Sequence, residues 1–130
     1  MKQALEYSRM TDKAFQETVD AVVSAAGAAG FRTLHIHEVD KTLAEKGFRI
    51  SKYSIVEVCN AGFAYGMITK YKPVGMMLPC RIVVYEDDGG TVVMLMKPVV
   101  IAAMMPDQDF GNVPEEVEKL LVGVVDEAVK

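Results

Sequence analysis

The 130-residue chain carries 14 basic and 18 acidic side chains, a formal net charge of −4, and 51% of its residues are hydrophobic. This composition is ordinary for one compact domain and excludes disordered and fibrous proteins. Binding to nucleic acid is not expected, because proteins of that class need clustered Lys and Arg side chains to displace counterions from the phosphates.

The N-terminal residues lack the apolar core of a signal peptide, and no apolar run is long enough to cross a membrane. The most apolar segment, residues 92–105, is interrupted by Lys97 and Pro98. We therefore expect a cytoplasmic protein without a membrane partner. Two cysteines are too few for a disulfide framework, and in a reducing compartment both are expected to be free thiols.

The first elements in the chain are predicted to be an edge strand and a helix. Residues 7–10 are the strand, and Thr11 and Asp12 then offer an N-cap and a first-turn acid. The helix is predicted to end at Gly30. Its apolar residues recur at the spacing of one helical face: Phe15, Val19, Val22, Val23 and Ala26.

A second strand is predicted over residues 31–39, where apolar and polar side chains alternate. Leu34 and Ile36 fall on one face, and His35 and His37 fall on the other. Two imidazoles on one face can hold a metal ion, but a zinc site needs a third protein ligand, and no helical histidine motif supplies it. We therefore interpret the two histidines as part of a solvated strand face and predict no metal site.

The middle of the chain combines a short helix, a strand and a longer helix. Asp40 is the predicted cap of a helix over residues 41–46, and residues 53–59 form a clear strand. Asn60 then has the type and place of an N-cap for a helix over residues 61–71. The inward side chains of this helix are predicted to be Phe63, Ala64, Met67 and Ile68.

Two further strands, residues 76–86 and 91–97, are joined by the sequence Asp-Asp-Gly-Gly, a good hairpin loop. Their apolar content is nearly continuous. This predicts that the first of the two lies centrally in its sheet with both faces covered.

The last part of the chain is predicted to hold a short helix over residues 99–105, an acidic loop over residues 106–112 and a final helix with Pro114 in its first turn. The inward stripe of the final helix is Val117, Leu120, Leu121, Val124 and Ala128. About five strands and three substantial helices predict one α+β domain over residues 1–130. Its architecture is a two-layer sandwich, with helices packed on a mixed or antiparallel sheet. These patterns leave the strand order undetermined.

The two cysteines are the first candidates for chemistry. Cys59 ends a strand directly before Asn60, so its thiol is expected near a helix N-terminus, where the helix dipole lowers a thiol pKa. Cys80 follows Pro79 early in a strand, and the two sulfurs would face each other if the strands are neighbours. A redox pair, a soft-metal site, a reactive thiol and two small buried hydrophobic residues all agree with this pattern.

Nine methionines are the one compositional oddity. Met94 and Met96 share one face of a strand, and residues 76–77 and 104–105 are adjacent pairs. Thioethers ligate Cu(I) or haem iron, whereas flexible Met side chains also line binding grooves, subunit contacts and ordinary cores. The cofactor therefore stays unknown. No nucleophile–base pair, phosphate loop or calcium loop is recognisable, so the sequence leaves open whether the protein is an enzyme.

Six residues form a recognisable pattern: the Cys59-Asn60 pair, the run Leu78-Pro79-Cys80 and Tyr53. With these residues, and over nearly its whole length, the chain resembles the domain of unknown function 302 family. Ala61 stands where members typically carry proline. The resemblance implies an α+β fold, a homodimer and no established reaction. It also implies a family-level site made of Tyr53, Cys59, Asn60, Pro79 and Cys80.

The leading hypothesis is a homodimeric cytosolic binding module with a sulfur-lined apolar site or interface for a soft metal, haem or another small molecule. The candidate site residues are Tyr53, Cys59, Asn60, Pro79, Cys80, Met94 and Met96. The first alternative is a thiol-based redox protein or enzyme that uses Cys59 and Cys80. The second is a scaffold whose dimer binds another protein.

Overall fold

The computed structural model describes residues 4–105 and 107–130. They form an antiparallel sheet with the strand order β1-β5-β4-β3-β2. Its strands are β1 Glu6–Thr11, β2 Arg32–Glu38, β3 Tyr53–Cys59, β4 Cys80–Asp87 and β5 Gly90–Met96. The α-helices are α1 Phe15–Ala28, α2 Val39–Ala44, α3 Ala61–Lys70, α4 Pro98–Ala103 and α5 Val113–Ala128, and a 3-10 helix, Lys72–Met77, precedes β4. The predicted α+β class is confirmed.

One face of the sheet packs against α1 and α5 and forms the core. Alternate residues of each strand point to this face, and Val56, Ile82 and Leu95, which lie in register across three strands, are almost completely buried. The two helices contribute a buried stripe that fits the helical period: Phe15, Val19, Val22, Ala26, Val117, Leu121, Val124, Val125 and Ala128. Burial of these side chains from water is the main stabilising term of the fold.

The opposite face, called the open face below, is not covered in the same way. On β4, the alternate residues Val83 and Tyr85 are half-buried and Arg81 is exposed. The prediction that β4 is central is confirmed, because it is the third of five strands. The prediction that both of its faces are covered is wrong for the described residues. No helix among them is long and apolar enough to cross a membrane.

Two predicted helix caps are wrong. Thr11 is the last residue of β1, and its Oγ1 accepts a hydrogen bond from the Lys13 N–H at 3.3 Å, while Ala14 is the N-cap of α1. Asp40 lies inside α2, and its carboxylate accepts a hydrogen bond from the Tyr53 N–H at 3.2 Å. Asp40 therefore ties α2 to the start of β3. The predicted turn at Gly30 is confirmed by its positive φ of 90°.

Three side chains that were predicted on apolar faces of a strand or a helix are exposed. Leu34 lies at an irregularity in the β2–β3 pairing between Thr33 and His35, which interrupts the alternation of the strand. Ile68 and Leu120 lie at the margins of their apolar helical stripes and are exposed as well.

The segment before β4 also differs from its prediction. The strand begins at Cys80 and not at Met76, because residues 72–77 wind into the 3-10 helix, with Pro73 in its first turn. The hairpin prediction is confirmed, because Asp88 and Gly89 both have positive φ, as a type I′ turn requires. Both C-terminal helices are confirmed as well, and within the predicted acidic loop Pro106 lies outside the described residues.

Candidate functional site

A cavity of about 40 Å³ lies at the end of the sheet where β3 finishes and β4 begins. Residues from α3, α4, the 3-10 helix and the start of α5 form the rest of its wall. Four sulfur-containing side chains line the cavity together with two phenylalanines: Cys59, Cys80, Met67, Met77, Phe31 and Phe63. Within residues 4–105 and 107–130, no Asp, Glu, Lys, Arg or His lines the cavity.

Asn60 holds this end of the molecule together. Its Oδ1 accepts a hydrogen bond from the Phe63 N–H at 3.0 Å, which caps α3, and its Nδ2 donates to the Gly30 carbonyl at 3.0 Å. One side chain thus joins the start of α3 to the turn after α1. Phe31 directly follows Gly30 in the chain. Its ring lies 6.4 Å from the Phe63 ring at a 34° tilt, and the two rings close one wall of the cavity. The predicted N-cap is confirmed, and Ala61 is accommodated as the first residue of α3.

Both cysteines line the cavity, and the strands that carry them, β3 and β4, are neighbours in the sheet. Val58 pairs with Cys80 in the β3–β4 register, so Cys59 lies one residue beyond that pair. Both thiols are free and half-buried. Burial raises the pKa of the Cys80 thiol to about 11, and the nearby Cys59 acts in the same direction, against a smaller opposite effect of Arg81. At neutral pH, Cys80 is therefore an uncharged thiol.

Met94 and Met96 lie outside the cavity. They line an adjoining groove of about 340 Å³ on the open face, together with Leu5, Met76 and Val83. Four residues contribute to the walls of both spaces: Met77, Pro79, Cys80 and Ile101. The part of β5 that carries Met94 and Met96 is therefore next to the cavity, but the segment that leads into β4 separates the two.

Tyr53 is not brought to the cavity. It begins β3 while Cys59 ends it, which separates their backbones by about 20 Å along the strand. The Tyr53 ring instead stacks on Tyr85 with centroids 5.6 Å apart. Of the residues predicted for the site, the structure brings together Cys59, Asn60, Pro79 and Cys80.

Several lining residues were not predicted for the site. Phe63 and Met67 were expected to point inward from their helical spacing, but that spacing does not indicate a cavity. Pro98, Ile101 and Ala102 reach the wall from α4, which contacts α5. No local sequence signal could have placed α4 beside the cysteines, because its position depends on packing against α5.

Comparison with known proteins agrees with the fold. The sequence profile described as Domain of unknown function DUF302 matches residues 7–128. A similar solved structure is the crystal structure of the uncharacterized conserved protein DUF302 from Bacillus stearothermophilus. It superimposes with a TM-score of 0.91 at 28% sequence identity, covering 98% of this chain and 100% of that chain. The comparison with curated proteins gave no match.

Proposed function

We propose that this chain, which belongs to the domain of unknown function DUF302 family, is a cytoplasmic homodimer. We further propose that it binds a small uncharged molecule in the cavity beside Cys59 and Cys80. The family description names no activity, so the proposal depends on the geometry of the cavity. Its two free thiols agree with a reducing compartment.

The observation that carries the proposal is the chemical character of the cavity wall. Among the described residues the wall is almost entirely apolar and contains no Asp, Glu, Lys, Arg or His, and the raised pKa of Cys80 keeps that thiol neutral. Transfer of a charged ligand from water to such a wall would be costly, because the Asn60 amide is already hydrogen-bonded to Gly30 and Phe63 and could not replace the ligand's hydration. An uncharged apolar molecule loses no hydrogen bonds on entry.

The volume restricts the ligand further. A dry cavity of about 150 Å³ accommodates benzene or xenon. The present cavity of about 40 Å³ is smaller and has no room for haem. A single Cu(I) ion would fit by size, and thiolates and thioethers are its preferred donors. Two thiolates around one Cu(I) would, however, leave a net negative charge among apolar walls, so we favour the uncharged ligand.

Xenon is a suitable probe because it is small, apolar and uncharged. In protein with ¹³C-labelled methionine methyl groups, we expect saturable xenon-dependent shifts at Met67 and Met77. The methyl groups of Met94 and Met96, in the adjoining groove, should shift less. Ala64→Leu, which fills the cavity from α3, should abolish the response. The matched control Ala61→Leu changes an exposed residue of the same helix and should preserve it.

Two results would contradict the apolar-ligand proposal. One is an equal xenon response in wild type and Ala64→Leu, which would place the binding elsewhere. The other is tight stoichiometric Cu(I) binding under anaerobic conditions that is lost in both Cys59→Ser and Cys80→Ser. That result would support the soft-metal alternative.

A thiol–disulfide function is the second candidate, because both cysteines line one cavity. In that reaction the two thiols would transfer two electrons and two protons to oxidised glutathione, which would yield an intramolecular disulfide and two glutathione molecules. The high pKa of Cys80 disfavours this function, since the thiolate is the attacking species.

The homodimer is proposed to form through the open face. Half-buried apolar side chains occupy the centre of this face, among them Ile55, Val83 and Met94, and the more exposed Met10 and Met96 extend it toward β1. Burial of these apolar side chains against a second copy of the chain would stabilise the dimer.

A further inference from the structure

A group of polar side chains lies on the open face, on the side of β2 and β3. The chain contains two histidines, and both are here: the His35 and His37 rings lie with centroids 4.4 Å apart in an edge-to-face arrangement. Glu57 on β3 is the register partner of His35, and its Oε2 lies 3.2 Å from the His37 Nε2. The Glu57 side chain is only 18% exposed, so its position is well defined by its neighbours.

We infer that His35, His37 and Glu57 form a binding site for a divalent transition-metal ion of the zinc type. Two imidazole nitrogens and one carboxylate oxygen form the donor set of open zinc sites, which keep a further position for water or a substrate. In the sequence, the acid next to the two histidines is Glu38, which strand alternation places on the opposite face. The structure supplies a third ligand from the neighbouring strand.

The spacing of two of the donor atoms already suits a metal. Zinc–nitrogen and zinc–oxygen bonds of about 2.0–2.2 Å at a tetrahedral angle place the two ligand atoms roughly 3.3–3.5 Å apart. His37 Nε2 and Glu57 Oε2 are now in direct contact at 3.2 Å, slightly less than this separation. A metal ion could therefore lie between them with only a small adjustment.

His35 is the ligand that has to move. Across residues 4–105 and 107–130, no three His, Cys, Asp or Glu side chains already surround one point in a way that could hold a metal ion. The His35 ring stands edge-on to His37, and its side chain is exposed at the surface of a broad groove of about 690 Å³. Rotation of an exposed side chain between staggered rotamers is inexpensive, so the third donor can be brought in.

Arg81 is a built-in competitor for the carboxylate. Its Nε lies 3.8 Å from Glu57 Oε2, and its side chain is half-exposed. A cation bound near Glu57 would have to share the carboxylate with this guanidinium or displace it. Removal of the Arg81 charge should therefore strengthen metal binding, a gain that misfolding of a variant would not produce.

The test is a titration with Zn²⁺, followed by calorimetry and by ¹H–¹⁵N spectra of the imidazoles. Because the chain has two histidines, each imidazole signal belongs to this site. Cys59→Ala/Cys80→Ala should be the background, since thiols bind zinc too, and its retained zinc binding would separate this site from the proposed cavity function. We expect one Zn²⁺ per chain, with both imidazoles shifted, and no response to Mg²⁺.

Single substitutions then assign the ligands. His35→Gln, His37→Gln and Glu57→Gln should each weaken zinc binding by more than about tenfold, whereas Arg81→Gln should tighten it. Glu38→Gln is the matched control, because Glu38 is engaged with Lys41 at 2.7 Å, and it should leave the affinity unchanged. Unshifted imidazoles would overturn the proposal. Binding unaffected by Glu57→Gln, or weakened by Arg81→Gln, would overturn it as well.

Discussion

The two faces of the sheet are built from neighbouring residues of the same strands, yet they differ in what lies on them. On the covered face, Val56, Ile82 and Val84 are completely buried under α1 and α5. On the open face, Val83 is half-buried, and the ionisable groups His37 and Glu57 are in contact with each other. The comparison teaches that buried apolar packing is concentrated on one face, while the other leaves apolar and ionisable side chains accessible.

The largest expected effect is the loss of stability from a Val→Ala substitution on the covered face, compared with the same substitution on the open face. Val84→Ala removes two fully buried methyl groups and should lower the free energy of unfolding by about 2–3 kcal/mol, from lost burial and the cavity left behind. Val83→Ala, one residue earlier in β4, should lower the free energy of unfolding of the monomer by less than about 1 kcal/mol. Urea unfolding at low protein concentration measures both.

The same pair also tests the proposed homodimer. If the open face is the dimer interface, Val83→Ala should shift the monomer–dimer equilibrium toward monomer in sedimentation equilibrium, whereas Val84→Ala should do so only where it unfolds the chain. A wild-type protein that stays monomeric at high micromolar concentration would contradict the homodimer proposal.

Cys80 should make stability depend on alkaline pH. Its thiol titrates near 9 in the unfolded chain and at about 11 in the folded chain, so between these values the folded state binds more protons. Stability should therefore fall as pH rises from about 9 to 11, by up to roughly 2 kcal/mol, and should show no such contribution below pH 9. Denaturant unfolding at pH 8.5 and 10.5 measures the fall.

Cys80→Ala is the control for this pH dependence, because it lacks the thiol and should show a smaller fall over the same interval. Equal pH dependence in wild type and Cys80→Ala would contradict the buried-thiol interpretation. Efficient formation of an intramolecular disulfide with oxidised glutathione at pH 7.5, read as a mass loss of about two hydrogen atoms, would instead favour the redox alternative.

The smallest expected effect compares two asparagines that precede helices. Asn60→Ala removes the cap of α3 and the hydrogen bond to the Gly30 carbonyl. It should lower the free energy of unfolding by about 1–2 kcal/mol and loosen the cavity wall. Asn112 also precedes a helix, α5, but its side chain makes no capping hydrogen bond, so Asn112→Ala should change stability by less than about 0.5 kcal/mol. Thermal unfolding compares the two, and equal losses would show that the Asn60 bonds contribute nothing.

Local sequence signals located most of the elements. The strand β3, the cap at Asn60, the hairpin turn at Asp88 and Gly89 and the start of α5 at Pro114 follow from alternation, capping chemistry and turn preferences, which act over a few residues. The same signals failed where strand pairing was irregular, as at Leu34.

The candidate sites, too, depend partly on local sequence signals and partly on tertiary contacts. The sequence by itself determined that Cys59 and Asn60 end a strand and begin a helix, and that Pro79 and Cys80 lead into another strand. Only the tertiary structure decided that α4 closes the cavity and that Glu57 lies against His37. Strand register and helix docking join residues far apart in the chain. These contacts are selected by the packing of the whole core, and no local pattern of residues records them.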